Sequence, residues 1–330
     1  MASKASTIRW GILGTGKIAR AFASALRLLP DAQLVAVGSR SAESAGSFAD
    51  LYEVPHRHDT YESLARDPDI DIVYIASPHS HHAQHALLCL DAGKAVLCEK
   101  AFTLNAREAQ TVIDAARSRN LFLMEAMWTR FIPAVAEARQ LVAAGAIGKP
   151  MMLQADLGVR FEVDASHRLV NPQLGGGALL DLGIYPISLA AHFMGAITNA
   201  AAAGGIGATQ VDDNVAISLT HAEGGVSTAL CGFHAHSPRE ALIVGTEGQV
   251  RLHGPFYKTT GFTIKPRDGE PYNVERPYEG NGYQFEAAHA MQCLRDGLTE
   301  SPVMPLDETL AIMRVMDRVR EQIGMRYACD

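Results

Sequence analysis

A glycine turn set between an apolar strand and a helix constrains this chain more than any other feature. Residues 8–13 read IRWGIL, and the turn that follows, Gly14-Thr15-Gly16-Lys17-Ile18-Ala19, has the form G-x-G-x-x-A. A strand that feeds glycines into a helix N-terminus leaves backbone N–H groups unpaired. Together with the helix dipole, these groups make a site for a pyrophosphate. Gly14 is expected to permit the tight turn, Gly16 to let a phosphate approach the backbone beside Lys17 and Ile18, and Ala19 to pack helix on strand. Glycines also serve ordinary turns, so it is the strand–helix–strand setting that carries the reading.

The second strand sharpens it. Leu34-Val35-Ala36-Val37-Gly38 is apolar and β-rich and leads into Ser39-Arg40. A site for NAD usually has Asp or Glu here, bonding the ribose 2′-hydroxyl. That acid is missing, and a hydroxyl followed by a guanidinium suits a 2′-phosphate. The expected cofactor is therefore NADP, with NAD as the alternative.

With 330 residues the chain has room for two domains. From residue 8 to about 125, strand candidates (8–13, 33–38, 71–76, 95–98, 121–124) alternate with helical stretches (17–29, 42–52, 79–92, 105–118), which predicts a parallel, doubly wound sheet. Beyond it, a helix near 132–144 precedes extended segments at 150–158, 213–220, 225–233, 241–245 and 249–253. Helices return at 282–296 and 306–323. Strand following strand predicts a mainly antiparallel sheet. The expected fold is α/β plus α+β: a Rossmann domain over 1–125, then an open-faced, mainly antiparallel sheet domain over 126–330 for substrate binding and oligomerisation. A sheet covered on one face leaves the other to a partner subunit, so a homodimer or higher homo-oligomer is expected.

A net charge of −7 gives no basic footprint for nucleic acid and disfavours an anionic membrane surface. No apolar run is expected to span a bilayer. The leader MASKAST lacks an apolar signal core and reads as a short disordered start to a cytoplasmic protein. Five scattered cysteines with no C-x-x-C fit reduced thiols rather than disulfides or a zinc site.

Three segments carry candidate chemistry. In Val96-Leu97-Cys98-Glu99-Lys100 a strand ends in a charged pair; a lysine there can hold a substrate oxygen and assist proton transfer, or form a surface salt bridge. In GGGALLDLGIY (175–185), Asp181 and Tyr185 share a face if the segment is helical. An acid and a phenol so placed can orient hydroxyls and shuttle a proton, and a nearby lysine cation favours the phenolate. The bland alternatives are a helix cap and a core aromatic. In SPHSHHAQH (77–85), His81 and His85 have the spacing of helical metal ligands, but no Cys or carboxylate joins them, so no metal is expected. A helix start beside the cofactor is the better reading.

Together these segments resemble the glucose–fructose oxidoreductase/inositol dehydrogenase (Gfo/Idh/MocA) family over essentially the whole chain. The markers are GILGTGKIA, SPHSHH at the family's T-P-N-x-x-H position, GKAVLCEK at its E-K-P position, and GGGALLDLGIYP. MEAMWTRFIP (124–133) and the stretch 301–327 are more similar to the dihydrodiol and D-xylose dehydrogenase branch. The resemblance implies that Lys100, Asp181 and Tyr185 are catalytic, with Tyr185 as general acid/base. It also implies that Pro78, His79, His82, Glu99 and Lys100 lie on the cofactor side, His82 near the nicotinamide. Trp128, Arg130, Phe131 and Arg168 are expected to line the substrate side. Two departures stand out: Ala101 replaces the proline of E-K-P, removing a backbone restraint after the lysine, and His79 replaces the usual Asn. The implied activity is hydride transfer between NADP and a hydroxyl-bearing carbon of a cyclic sugar or trans-dihydrodiol. A keto-sugar reductase and a cofactor-sensing regulator are the competing readings.

Overall fold

The computed structural model describes residues 7–330, so the leader MASKAST lies, but for Thr7, outside the described residues. The chain forms two units. The first comprises the chain up to Thr103, Arg107–Trp128 and Glu279–Leu306; the second comprises Leu104–Ala106, Thr129–Tyr278 and Asp307–Asp330.

In the first unit β1 (Ile8–Leu13), β2 (Ala32–Gly38), β3 (His56–His58), β4 (Ile72–Ile75), β5 (Ala95–Glu99) and β6 (Leu123–Ala126) form a parallel sheet in the order β3-β2-β1-β4-β5-β6. Between them run α1 (Lys17–Leu26), α2 (Ala42–Tyr52), α3 (Tyr61–Ala65), α4 (His82–Asp91) and α5 (Ala106–Arg119). β4 and β5 are buried along their whole length, as strands covered on both faces must be. The order in which strands are added reverses between β1 and β4, and the crevice beyond the strand ends at such a switch point is where ligands bind in this architecture. The core is aromatic there: Phe22 stacks on Tyr74 at 3.7 Å, and Trp10 meets Phe22 edge-on at 5.2 Å.

The second unit holds α6 (Pro133–Ala143), β7 (Pro150–Gly158), α7 (Ile184–Met194), β8 (Ile197–Ile206), β9 (Asp212–His221), β10 (Val226–Gly232), β11 (Ala241–Gly245), β12 (Gly248–Leu252), β13 (Gly261–Pro266) and β14 (Tyr272–Glu275). Its sheet runs β14-β13-β12-β11-β7-β10-β9-β8, antiparallel except where β10 pairs with β7. Buried and exposed residues alternate along β9 and β10, so one face packs on α7 and its lead-in while the other stays open. The open face carries Met152 beside Val226, and Gln154, Thr228 and Ser218 in one row. The edge strand β8 is protected: the Gln322 side chain donates to the Ala200 carbonyl (2.9 Å) and accepts from the Ala202 amide (2.7 Å), as a neighbouring strand would.

Two helices follow, α8 (Tyr283–Arg295) and α9 (Leu306–Ile323). The expectation that everything past residue 125 forms one domain is corrected here. α8 packs on α1; Asn281 donates to the Ala21 carbonyl (2.8 Å) and Arg295 pairs with Asp31 (2.7 Å), which returns this segment to the first unit. A second correction concerns the apolar stretch Pro172–Met194, which is long and apolar enough to cross a membrane, against the expectation of none. Its apolar window is 94% buried within this chain, so its surface is spent on the fold's own core. The five cysteines are free, and Cys89, Cys98, Cys231 and Cys293 are buried.

Candidate active site

The glycine turn has the geometry of an anion site. Gly14 sits at φ +108°, where an L side chain is strained, and a Cβ there would stand 3.1 Å from the Ala76 carbonyl oxygen. Gly16 is the N-cap of α1 and is exposed; a Cβ built on it would meet nothing within 4 Å. No side chain caps this helix, so its first amides, those of Lys17 and Ile18 among them, have no intrahelical acceptor. Ala19 is fully buried, as a residue packing helix on strand must be. The donors, the open space above Gly16 and the helix dipole fit the pyrophosphate of a dinucleotide.

At the end of β2 the Ser39 amide donates to the His58 carbonyl (3.0 Å), fixing the turn that presents exposed Arg40. The Arg40 cation lies close enough to Tyr61 to act on its hydroxyl, and the Tyr61 ring meets His85 edge-on at 4.6 Å. Neither Tyr61 nor His85 was legible as a neighbour of Arg40, because α3 is too short to show periodicity. Nearby on β3, His56 Nδ1 (2.7 Å) and His58 Nε2 (2.8 Å) both hydrogen-bond Asp67 Oδ2. Burial pushes the Asp67 carboxyl up, but the Asp69 amide and the His58 and His56 rings outweigh it and hold the group at about 2.

Beyond β4 and β5 the expected cofactor-side residues divide. Pro78 is half-exposed and begins a 3-10 turn, His79–His81, that leads into α4. His79 and His82 are buried, their rings edge-on at 5.5 Å. His82, expected near the nicotinamide, places Nδ1 2.9 Å from the Ala101 carbonyl and Nε2 2.8 Å from the Ser77 carbonyl, so both nitrogens face main chain. His81 and His85, the pair with metal-ligand spacing, hydrogen-bond Ser80 and Ser77 through Nδ1. Glu99 is also turned inward. Its carboxylate accepts from the Tyr74 hydroxyl and from the Lys100 amide (3.1 Å), and it is 5% exposed, which makes it a support for the lysine. On α8 Glu286 is fully buried, and among the described residues neither of its carboxyl oxygens has a hydrogen-bond partner. Burial, and then the neighbouring Glu99, push Glu286 well above the usual carboxylate range, so it is held as the neutral acid. Lys100 is half-buried, and its peptide bond to Ala101 is cis.

In the second unit Asp181 lies in a π-helical turn, Leu179–Gly183, that runs directly into α7, where Tyr185 is in the first turn. Pro186 has no N–H to give and its ring crowds the preceding carbonyls, which suits a widened turn just before it. Asp181 and Tyr185 stand four residues apart across the junction of the π turn and α7. Asp181 is buried and accepts from Arg168 Nη1 at 2.8 Å, which brings together two residues expected at the site. The glycine triplet makes this approach: Gly177 sits at φ +132°, and a Cβ there would collide with Asp212, whose other oxygen accepts from the Leu179 amide (2.6 Å). Tyr185 is 8% exposed, its ring 5.3 Å from that of Tyr257.

Of the remaining substrate-side candidates, Phe131 is half-buried and Trp128 is buried, stacked on Tyr283 at 4.5 Å. Arg130 is corrected. Its guanidinium donates to the Ser188 hydroxyl (3.1 Å) and carbonyl (3.0 Å) and pairs with Glu308 (2.6 Å), and its side chain is 1% exposed. A guanidinium so committed braces the fold and has no face for substrate.

Comparison with known proteins agrees with this architecture. Residues 8–127 match the GFO/IDH/MocA oxidoreductase family profile, an NAD-binding Rossmann fold, and residues 135–251 match the GFO/IDH/MocA C-terminal domain. A Bos taurus protein named trans-1,2-dihydrobenzene-1,2-diol dehydrogenase is 37% identical over 98% of this chain and 99% of its own. Among solved structures, levoglucosan dehydrogenase in complex with NADH and levoglucosan superposes with a TM-score of 0.89 at 22% identity, covering 97% of each chain. A 3-ketoreductase from Actinomadura kijaniata, in complex with TDP-benzene and NADP, gives 0.82 at 24% identity over 96% of this chain and 98% of its own.

Proposed function

We infer the activity from one premise, that this chain belongs to the Gfo/Idh/MocA family of NAD(P)-dependent oxidoreductases, and propose that it transfers a hydride between NADP and a hydroxyl-bearing ring carbon of a trans-dihydrodiol or cyclic sugar. The observation that carries the proposal is Asp181, buried and paired with Arg168, one helical turn before Tyr185. A regulator that only senses a cofactor has no need of that constellation. The substrate class follows the relative named for a dihydrodiol and the fold neighbour that holds a cyclic sugar derivative. NADP rather than NAD rests on Arg40 and on the absence of an acid after β2.

In this mechanism Gly14, Gly16 and the first amides of α1 would hold the pyrophosphate, and Ser39 and Arg40 would hold the 2′-phosphate. A dinucleotide held there would supply the acceptor or donor of the hydride. Tyr185 accepts the proton of the reacting hydroxyl, and Lys100 supplies a cation that favours its loss. The Asp181 carboxylate accepts a hydrogen bond from a neighbouring hydroxyl, while Arg168 fixes its orientation. Trp128 and Phe131 contribute apolar surface. The open face of the second unit's sheet, with Met152 beside Val226 and a row of Gln154, Thr228 and Ser218, is the surface through which two copies would pair.

A panel of aldoses, inositols and trans-dihydrodiols, each with NADP and with NAD, tests the proposal through formation of reduced cofactor. Turnover of a dihydrodiol or aldose with NADP is expected. Activity solely with keto-sugars and reduced cofactor would replace it with the reductase reading, and binding without any turnover with the regulator.

A further inference from the structure

The main chain on both sides of Lys100 is pinned. The Lys100 amide donates to Glu99 Oε2 (3.1 Å), and the carbonyl of the following residue, Ala101, faces His82 Nδ1 (2.9 Å). Through its other nitrogen the same ring reaches the Ser77 carbonyl (2.8 Å), just past β4. Ser77 is in turn gripped by His85 Nδ1 through its hydroxyl (2.9 Å). His82 is 1% exposed, so water does not compete for either contact. The arrangement stands where proline is missing: Ala101 lacks the ring that would restrain this backbone, and the imidazole supplies a tether from outside. A neutral imidazole has one N–H and so bonds one carbonyl at a time, whereas an imidazolium bonds both. Burial lowers the His82 pKa to about 4, more than its backbone carbonyl contacts raise it, so near neutral pH the ring carries one proton.

We propose that His82 is a positioning residue for Lys100: from the first turn of α4 its ring donates to the Ala101 carbonyl, ties the backbone just after the lysine to that helix, and so fixes where the lysine amine stands. The proposal rests on the reading of Lys100 as a reacting residue, but its test does not depend on that reading alone. Two variants are compared with wild type: His82→Leu, which removes both contacts, and His82→Gln, whose amide can still donate to one carbonyl. Misplacement of a reacting group costs on the order of 100-fold in rate, so His82→Leu is expected to lower kcat by about that factor with the KM for NADP little changed, and His82→Gln to recover part of the loss.

The second readout is the rate at which Lys100 is acetylated by acetic anhydride across pH, measured by peptide mass spectrometry with Lys94 and Lys149 as internal controls. The Lys100 profile is expected to shift in His82→Leu, and less in His82→Gln, with the controls unmoved. If His82→Leu does not fold, His82→Gln alone decides. A lower melting temperature with an unchanged Lys100 profile would make His82 merely structural and overturn the proposal. Should Lys100→Ala retain full turnover, the functional reading fails, while the labelling still decides whether His82 positions the lysine.

Discussion

Two substitutions in the same turn should fail in opposite ways. Gly14 at φ +108° has no room for a side chain, and a methyl group would press on the Ala76 carbonyl at 3.1 Å. That carbonyl belongs to a segment whose amide is fixed to Leu13 (2.9 Å), so it does not yield cheaply. Left-handed backbone costs an ordinary residue about 1–2 kcal/mol, and relieving the contact adds to it, so Gly14→Ala is expected to lose about 2–3 kcal/mol of stability. Gly16 differs. Its φ of −71° suits any residue, and a Cβ there meets nothing within 4 Å. Gly16→Ala should therefore cost less than about 1 kcal/mol, the usual penalty for alanine at an N-cap. Its methyl instead occupies the space through which a pyrophosphate must approach the α1 amides, so the Kd for NADPH should rise at least about tenfold, or about 1.4 kcal/mol. Urea unfolding measures the first quantity and fluorescence titration with NADPH the second. Gly16→Ala binding NADPH as wild type does would refute the reasoning, because the open space above Gly16 would then not be the phosphate site.

Other outcomes follow from the same geometry. Arg40→Ala should lower the preference for NADP over NAD in kcat/KM by about 10- to 100-fold, the worth of one charge-assisted bond to phosphate, and an unchanged preference would show that Arg40 does not read the 2′-phosphate. Glu286→Gln should stabilise the fold at about pH 8 by about 1–3 kcal/mol and leave it unchanged at acid pH. The sign follows from the raised Glu286: below the usual carboxylate range both folded and unfolded chains hold the proton, whereas above it only the fold must keep it, so stability drains as pH rises. Equal pH dependence of unfolding in the two proteins would contradict this. Arg130→Met should lower stability by about 2–3 kcal/mol while leaving the KM for substrate unchanged, since its guanidinium serves Ser188 and Glu308. A raised KM with an unchanged melting temperature would return Arg130 to the substrate side.

Where the sequence was read well, the reason is local. β1, α1 and β2 combine apolar runs with glycines whose conformations admit little else, and their boundaries lie close to those expected. β3 was invisible because His56-Arg57-His58 is short and polar and becomes a strand only by pairing with β2. β8 was missed because its run of Ala and Gly has little β preference of its own; pairing with β9 and the Gln322 side chain make it a strand. The return of α8 to the first unit was beyond periodicity, which gives a helix its face but not its neighbour. Within the site, sequence indicated which residues follow strand ends but not where their side chains turn. His82 and Glu99 follow β4 and β5 as expected, yet both turn into the protein to hold the main chain around Lys100. Arg130 met a partner, Glu308, far along the chain, which no local pattern announces.

The assignment of Tyr185 as the group that moves the substrate proton is the centre of the account, and Tyr185→Phe tests it most directly. The ring is retained and only the hydroxyl is lost, so the variant should fold and bind NADPH with an unchanged Kd. Turnover of the best substrate from the panel should fall at least about 100-fold, as removal of a general acid/base demands. Turnover within a few-fold of wild type would contradict the account.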